Sequence, residues 1–360
     1  MSFESLTGGL SREQLEAHWM PFTANRQFKD NPRMIVSAEQ SHYITADGRR
    51  IYDGLSGLWC CGFGHNRPEI TEAVYKQMQS MDYSPAFQFG HPKAFELADR
   101  VAKMAPEGLD YVFFTNSGSE SADTSLKMAR AYWRQQGQPS KTKLIGRSKG
   151  YHGVNYGGIS VGGIAGNRKL YGDGVDAAHL THTLLPQNAF TKGLPEHGAE
   201  LADDLLEQIA LYDASNIAAV IVEPFAGSAG VVVPPQGYLQ RLRKICDDHN
   251  ILLIFDEVIT GFRIGQGGAQ AKYDVKPDIT CFGKVIGGGL PIGAIGGSRA
   301  VMENLTPIGK VFHAGTLAGN PLATAAGLAA LNELTPDVYM ELGARARALS
   351  TLLRDACLSA

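Results

Sequence analysis

IAAVIVEP at residues 217–224 and ILLIFDEV at residues 251–258 decide the fold. Each is a near-continuous apolar run that closes on an acid. Runs of this kind mark strands buried on both faces, as in a parallel sheet covered by helices. An amphipathic pattern near Gly237–His249 lies between them and can serve as the crossover helix. The same texture extends outward in both directions. Upstream come YVFFT, a helix near Glu120–Gln136, KLIGR, a long Gly-rich loop and a helix near Gly198–Tyr212; downstream comes ITCFGK. Strands alternating with helices predict βαβ units and an α/β fold with a mainly parallel central sheet. Further out, helices are expected over Arg67–Met81, Pro92–Ala105, Pro321–Leu334 and Pro336–Ala356. MIVSAEQSHYITADGRRIYD, residues 34–53, reads as a hairpin turning at Asp47-Gly48.

The chain has 360 residues, which at ~100–200 residues per domain predicts about two domains. Hydrophobic residues make up 44% and charged residues 19%, so a sizeable core is available, and disordered, collagen-like and coiled-coil chains are excluded. The net charge of −3 lacks the basic balance that nucleic-acid binding needs. No apolar run reaches the ~18 residues of a membrane span. The opening residues have neither the basic nor the apolar region of a signal peptide. Five cysteines, at 60, 61, 246, 281 and 357, form no CxxC pair, so neither a disulfide framework nor a zinc site is expected and a cytoplasmic setting fits best. The 42 glycines exceed the usual ~7% and suggest backbone drawn close to a ligand.

Ligands of open α/β sheets bind beyond the carboxyl ends of the strands. After YVFFT comes Asn116-Ser117-Gly118-Ser119-Glu120, which is either an ordinary helix N-cap or an anion cup of free amides. Glu223 and Asp256-Glu257 close the two apolar runs. Such acids could ligate metal, act as an acid/base pair, partner a protonated ring nitrogen, or cap the next helix. Lys284 follows ITCFG and precedes Val-Ile-Gly-Gly-Gly. It is a snorkelling surface lysine or, if desolvated, a Schiff-base amine. Tyr151-His152 in the Gly-rich loop could stack on a planar cofactor or simply pack. Gly158-Ile-Ser-Val-Gly162 matches the G-x-S-x-G nucleophile elbow, but no strand precedes it and no helix follows, which argues against a serine hydrolase. An anion cup, a stacking aromatic, a buried Asp and a strand-end Lys are together the parts that pyridoxal 5'-phosphate requires.

With these motifs the chain resembles the class III aminotransferases, a fold-type I family of pyridoxal-phosphate enzymes. Residues 17–262 are similar to omega-amino acid:pyruvate aminotransferases through AHWMPFTANRQFKDNPRMIVSAE, LSGLW, FGHP, VFFTNSGSES, KGYHGVN, DASNIAAVIVEPFAGSAGVVVPP and HNILLIFDEVITGF. Residues 262–360 resemble glutamate-1-semialdehyde 2,1-aminomutase through FRIGQGGAQAKYDVKPDITCFGKVIGGGLPIGAIGG and HAGTLAGNPLATAAGLAALNEL, with a seam near Gly261–Arg263. The resemblance implies an N-terminal segment (1–45), a large cofactor-binding domain (46–310), and an interface loop with helices (311–360) leading towards a C-terminal domain that the sequence does not include. That domain usually carries the arginine for the substrate carboxylate.

Carried over residue by residue, the resemblance implies that Lys284 is the Schiff-base lysine and that Asp256 pairs with the pyridine nitrogen. Gly118 and Ser119 would bind phosphate, and Thr316 would reach the phosphate of a neighbouring subunit. Tyr151 and Val258 would face the ring from either side, with Glu223 at its O3′ side. Phe22, Trp59, Phe87, Phe89, Tyr151, Ala229 and Ile259 would line the substrate pocket. The implied activity is ping-pong transfer of an amino group from an amine or omega-amino acid to pyruvate or a similar oxo-acid. The implied assembly is a homodimer with sites at the interface, with a tetramer left open. Two alternatives are an aminomutase acting on glutamate semialdehyde and an inactive, cofactor-holding scaffold.

Overall fold

A computed structural model describes residues 3–172 and 174–359. Its centre is a seven-stranded sheet in the order β4-β10-β9-β8-β7-β5-β6. The strands are β4 (Tyr111–Thr115), β5 (Lys143–Arg147), β6 (Ala177–Leu180), β7 (Ile217–Val222), β8 (Leu252–Asp256), β9 (Ile279–Phe282) and β10 (Gly293–Gly297). The ladders β6-β5-β7-β8-β9 are parallel, and β10 runs antiparallel to both β9 and β4. A separate antiparallel sheet joins β1 (Ile35–Glu39), β2 (His42–Thr45) and β3 (Arg50–Tyr52). The expected hairpin is thus a three-stranded meander, because a second turn at Gln40-Ser41 divides its first arm; Gln40 takes a left-handed φ of 51° there.

Alternate residues of the central strands feed two cores. Val220, Val222, Leu253 and Phe255 pack with Leu239, Leu242 and Ile245 of the helix Tyr238–Asp248. Ala219, Ile221, Leu252 and Ile254 pack with Leu126, Met128 and Trp133 of the helix Gly118–Gln135. Both faces of β7 and β8 are therefore covered, which is why their sequences are apolar without alternation. A third core joins the helices Pro92–Met104 and Pro321–Glu333 to Phe262, Phe282 and Val285.

Strand β10 was not among the expected strands. Its sequence, GAIGG, is mostly glycine because neighbours crowd it. A Cβ at Gly293 would lie 2.5 Å from Ser117 O, Ser121 Oγ and Thr115 Oγ1, and one at Gly296 would lie 2.6 Å from Leu109 Cδ2. Strand β6 lay unrecognised in the Gly-rich stretch. The expected helix over Gly198–Tyr212 is a 3₁₀ turn (Ala199–Asp203) followed by an α-helix (Asp204–Tyr212).

At the amino end of β8, Asp278 holds the strand in place. Its Oδ2 accepts the Leu253 amide at 2.7 Å and Arg243 Nη1 at 2.8 Å, while its own amide donates to Leu253 O at 2.8 Å. At the other end of the chain, the helix Pro336–Ser359 buries none of its residues. It is tied to the body through Tyr339 Oη, which donates to Phe262 O at 2.6 Å. No helix of the described residues is long and apolar enough to cross a membrane.

Candidate active site

The carboxyl ends of β4, β7, β8 and β9 converge on a cavity of about 140 Å³. Gly118, Ser119, Tyr151, Glu223, Asp256, Val258, Ile259 and Lys284 all line it, together with His152 and Gly153. These strands deliver their side chains at one rim because all four point the same way: β7, β8 and β9 through parallel ladders, and β4 because it and β9 both run opposite to β10.

The helix Gly118–Gln135 opens at this rim. Ser117 caps it, its Oγ accepting the Glu120 amide at 3.2 Å. The first amides of a helix have no intrahelical acceptor, so they are free to meet an anion. Glycines let the walls approach. A Cβ at Gly118 would stand 2.8 Å from Val258 Cγ1. Gly153 has a φ of 90°, and a Cβ there would stand 2.6 Å from Ser119 Cα. Ser119 Oγ in turn accepts the Val154 amide at 3.2 Å.

The three acids separate by task. Asp256 is buried and faces the cavity; its Oδ2 lies 2.8 Å from His152 Nδ1 and its Oδ1 accepts the Val258 amide at 3.1 Å. Glu223 accepts the Tyr151 amide at 2.9 Å and the Gly227 amide at 3.2 Å. Burial pushes its carboxyl above the usual range, opposed by His152. Glu257 faces away from the cavity. It accepts the amides of Ala269 at 2.6 Å and Gln270 at 3.1 Å and the hydroxyl of Thr260 at 2.8 Å, so it caps the helix Gly268–Tyr273. Adjacent acids on a strand point to opposite sides, and of the readings open to them Glu257 takes the helix cap.

Lys284 follows β9 with a φ of 50°. Burial lowers its proton affinity, and the nearby Asp256 carboxylate only partly offsets this. It is therefore not a snorkelling surface lysine. The ring of Trp59 lies 5.7 Å from its Nζ. The loop that carries Trp59 is unusual, since Ser56, Gly57, Leu58 and Trp59 all have positive φ.

Not every expected pocket residue reaches the cavity of its own chain. Ile259 and Tyr151 line it and Trp59 stands beside Lys284. Ala229 is half-buried in the turn closed by the Ala226–Val232 bridge. Phe22 (92% exposed), Phe87 and Phe89 lie on the surface. Thr316 is also exposed, in a loop whose carbonyl at 316 accepts Tyr83 Oη at 3.1 Å.

His152 had no assigned role beyond stacking or packing beside Tyr151, yet it is the partner of Asp256; the only sequence signal is its place in KGYHG. Ser160 of the elbow-like motif is buried in a short helix (Tyr156–Val161), donates to Tyr156 O at 2.5 Å and accepts the Val175 amide at 3.0 Å. That geometry presents no nucleophile. Among the described residues no group of three or more His, Cys, Asp or Glu is placed to hold a metal ion.

The donor set fits pyridoxal phosphate: free helix amides for a phosphate, a buried carboxylate for a ring nitrogen, a desolvated amine, and flat walls at Tyr151 and Val258. Comparison with known proteins agrees. Residues 23–358 match the family model described as Aminotransferase class-III. The beta-alanine–pyruvate aminotransferase of Pseudomonas aeruginosa is 56% identical over 343 residues, covering 93% of this chain and 77% of that protein. A glutamate-1-semialdehyde 2,1-aminomutase of Desulforamulus reducens is 39% identical over 331 residues, covering 89% and 70%. Among solved structures, an (S)-enantioselective omega-transaminase from Thermomicrobium roseum superposes with a TM-score of 0.81 at 36% identity, covering 89% of this chain and 73% of that one. An amine transaminase from an uncultivated Pseudomonas species, in its PLP-bound form, gives 0.81 at 36% identity, covering 88% and 74%.

Proposed function

The chain belongs to the class III aminotransferases, which work with pyridoxal 5'-phosphate, and on that premise we propose that it moves an amino group from an amine or omega-amino acid to pyruvate or a similar oxo-acid. The observation that carries this reading is the convergence of a desolvated lysine, Lys284, and a buried, histidine-backed carboxylate, Asp256, on one cavity. Identity to the beta-alanine–pyruvate relative (56%) exceeds that to the aminomutase (39%), which favours transfer between molecules.

When bound, the cofactor supplies an electron sink for the carbon next to the donor nitrogen. Gly118 and Ser119 would hold its phosphate at the helix N-terminus. Asp256 would keep the ring nitrogen protonated, and His152 orients that carboxylate. Tyr151 and Val258 would hold the ring between them. Glu223 fixes the Tyr151 backbone and would support the O3′ side. Lys284 Nζ would hold the cofactor's aldehyde carbon until the donor amine displaces it, and the freed amine would be placed to move the proton on and off the donor carbon. Trp59 and Ile259 shelter this amine from water.

The exposed positions of Thr316, Phe22, Phe87 and Phe89 support a homodimer in which these residues complete the neighbour's site. The five cysteines at 60, 61, 246, 281 and 357, none of them in a disulfide, support a cytoplasmic setting.

The test is an absorption spectrum of the protein with pyridoxal phosphate. The visible band is expected to bleach on adding beta-alanine or a simple amine and to return with pyruvate. Lys284→Ala is expected to abolish turnover while still binding cofactor non-covalently. A band indifferent to every amine, or full activity in that variant, overturns the reading; turnover of glutamate semialdehyde without an added acceptor would replace it with the aminomutase.

A further inference from the structure

Arg263 stands out among the sheltered cations of this protein. A guanidinium out of water normally has a partner. Arg243 has Asp247 and Asp278 at 2.7 and 2.8 Å, and Arg147 donates to Glu223 O at 2.8 Å. Lys141 donates to three carbonyls. Arg263 is half-buried, and burial lowers its proton affinity, yet among the described residues no carboxylate pairs with it.

Its position is well defined. The Arg263 amide donates to Thr260 O at 3.1 Å. The preceding Phe262 is buried, lies against Phe282 at a ring distance of 5.2 Å, and has its carbonyl held by Tyr339. This rigid base aims the side chain at Gly62. A Cβ at Gly62 would be 3.9 Å from Arg263 Nη1 and 4.0 Å from Cγ2 of Val285, the residue after Lys284. The same short loop carries Trp59, whose ring faces Lys284 Nζ at 5.7 Å. Lys284 and Arg263 thus flank one segment, Trp59 to Gly62, and each charge is felt by Cys60 within it. Lys284 lines the cavity and also feels the charge of Arg263; two cations this near each other, one of them without an acid partner among the described residues, can seat an anion.

We propose that Arg263 receives the carboxylate of the oxo-acid acceptor, and of an omega-amino acid donor, and so sets the preference for acid over plain amine substrates. The proposal rests on the aminotransferase reading above. The planar fork of Arg263 suits a carboxylate, taken by two parallel N–H bonds. The absence of a protein acid leaves the fork available, and the 62 position stays glycine-small beside it.

The test compares wild type with Arg263→Gln and Arg263→Lys in the cofactor-loaded protein. Arg263→Gln is expected to raise the KM for pyruvate by about tenfold or more, the effect of losing a hydrogen-bonded charge, while the KM for 1-phenylethylamine, which has no carboxylate, moves less than about twofold on the same scale. Arg263→Lys should fall between, since it keeps the charge and loses the fork. Calorimetric titration with oxamate, an unreactive isostere of pyruvate, gives a readout independent of turnover, and its affinity should fall in parallel. Equal oxamate binding by wild type and Arg263→Gln overturns the proposal, as does an equal rise in both KM values. If wild type transfers no amino group yet binds oxamate through Arg263, the aminotransferase reading falls and the carboxylate seat stands.

Discussion

His152 Nδ1 and Asp256 Oδ2 lie 2.8 Å apart, both side chains buried, although 104 residues separate them in the chain. The imidazole fixes the carboxylate that faces the cavity and spares it a second desolvated, unpaired oxygen. His152→Phe should therefore weaken pyridoxal phosphate binding by about tenfold to a hundredfold, from the loss of a hydrogen bond to a charged group. Equilibrium dialysis of the cofactor checks this. Unchanged affinity would mean that Asp256 is oriented without His152.

Gly118 and Val258 touch across the cavity floor. Gly118→Ala puts a methyl 2.8 Å from Val258 Cγ1 and should cost about 1–3 kcal/mol from overpacking. Val258→Ala in the same chain should recover most of that loss, because the offending atom is a side-chain methyl. A thermal or denaturant double-mutant cycle measures the coupling; additivity would place the two residues apart.

Lys284 holds its proton less tightly than an ordinary lysine, whose value is 10.5, chiefly through burial. Its free amine therefore persists to lower pH. The rate at which apoprotein captures pyridoxal phosphate covalently should rise with pH through a midpoint below 10.5. Trp59→Ala admits water, relieves the desolvation, and should move that midpoint upward. A midpoint unmoved by the substitution would show that Trp59 does not shelter the amine.

Lys141 makes a stability prediction of known sign. Burial lowers its value to about 8 from the ordinary 10.5, even though three carbonyls and the Trp133 ring favour the charged form. Between those two values the unfolded chain binds more protons than the folded one. This residue's contribution to stability must therefore increase as pH climbs from about 8 towards 10.5. Urea denaturation of wild type against Lys141→Met should show that pH-dependent gain in the wild type only. The variant should also be less stable at pH 8 by about 1–3 kcal/mol, because the carbonyls lose their donor.

Ser160 serves only the fold. Ser160→Ala should leave amino transfer intact and lower stability by about 1 kcal/mol from the lost hydrogen bonds. Loss of activity without loss of stability would reopen the nucleophile reading.

The elements that sequence made legible are those whose signal is local. IAAVIV and ILLIF became β7 and β8, and the helices Pro68–Ser80, Pro92–Met104 and Tyr238–Asp248 begin and end within a residue or so of expectation. The strand-end residues Gly118, Ser119, Glu223, Asp256, Val258 and Lys284 meet at one cavity because β4, β7, β8 and β9 all point the same way, which turns a repeated local position into a shared place. What stayed hidden depends on distant neighbours. Strand β10 has glycines where Ser117, Ser121 and Leu109 press on it, so it carries no β-branched signature. His152 acquires its task only when β8 brings Asp256 alongside. Arg263 is noteworthy for a partner it lacks, and an absence of that kind has no local trace.

The clamp of Asp278 on Leu253 has a bearing on the opposite end of its strand. Side chains of β8 alternate, so sliding this strand by a single position would exchange Asp256 with Glu257, sending a helix-capping acid into the cavity and burying the other where only amides await it. Both residues are acids and hydrophobicity alone would scarcely resist the exchange at that end. The Arg243–Asp278 pair, three residues upstream of Asp256 at Leu253, acts as an index mark that keeps the strand from shifting. Asp278 is thus a remote guardian of which carboxylate the cavity receives, at the opposite end of the strand from the cavity.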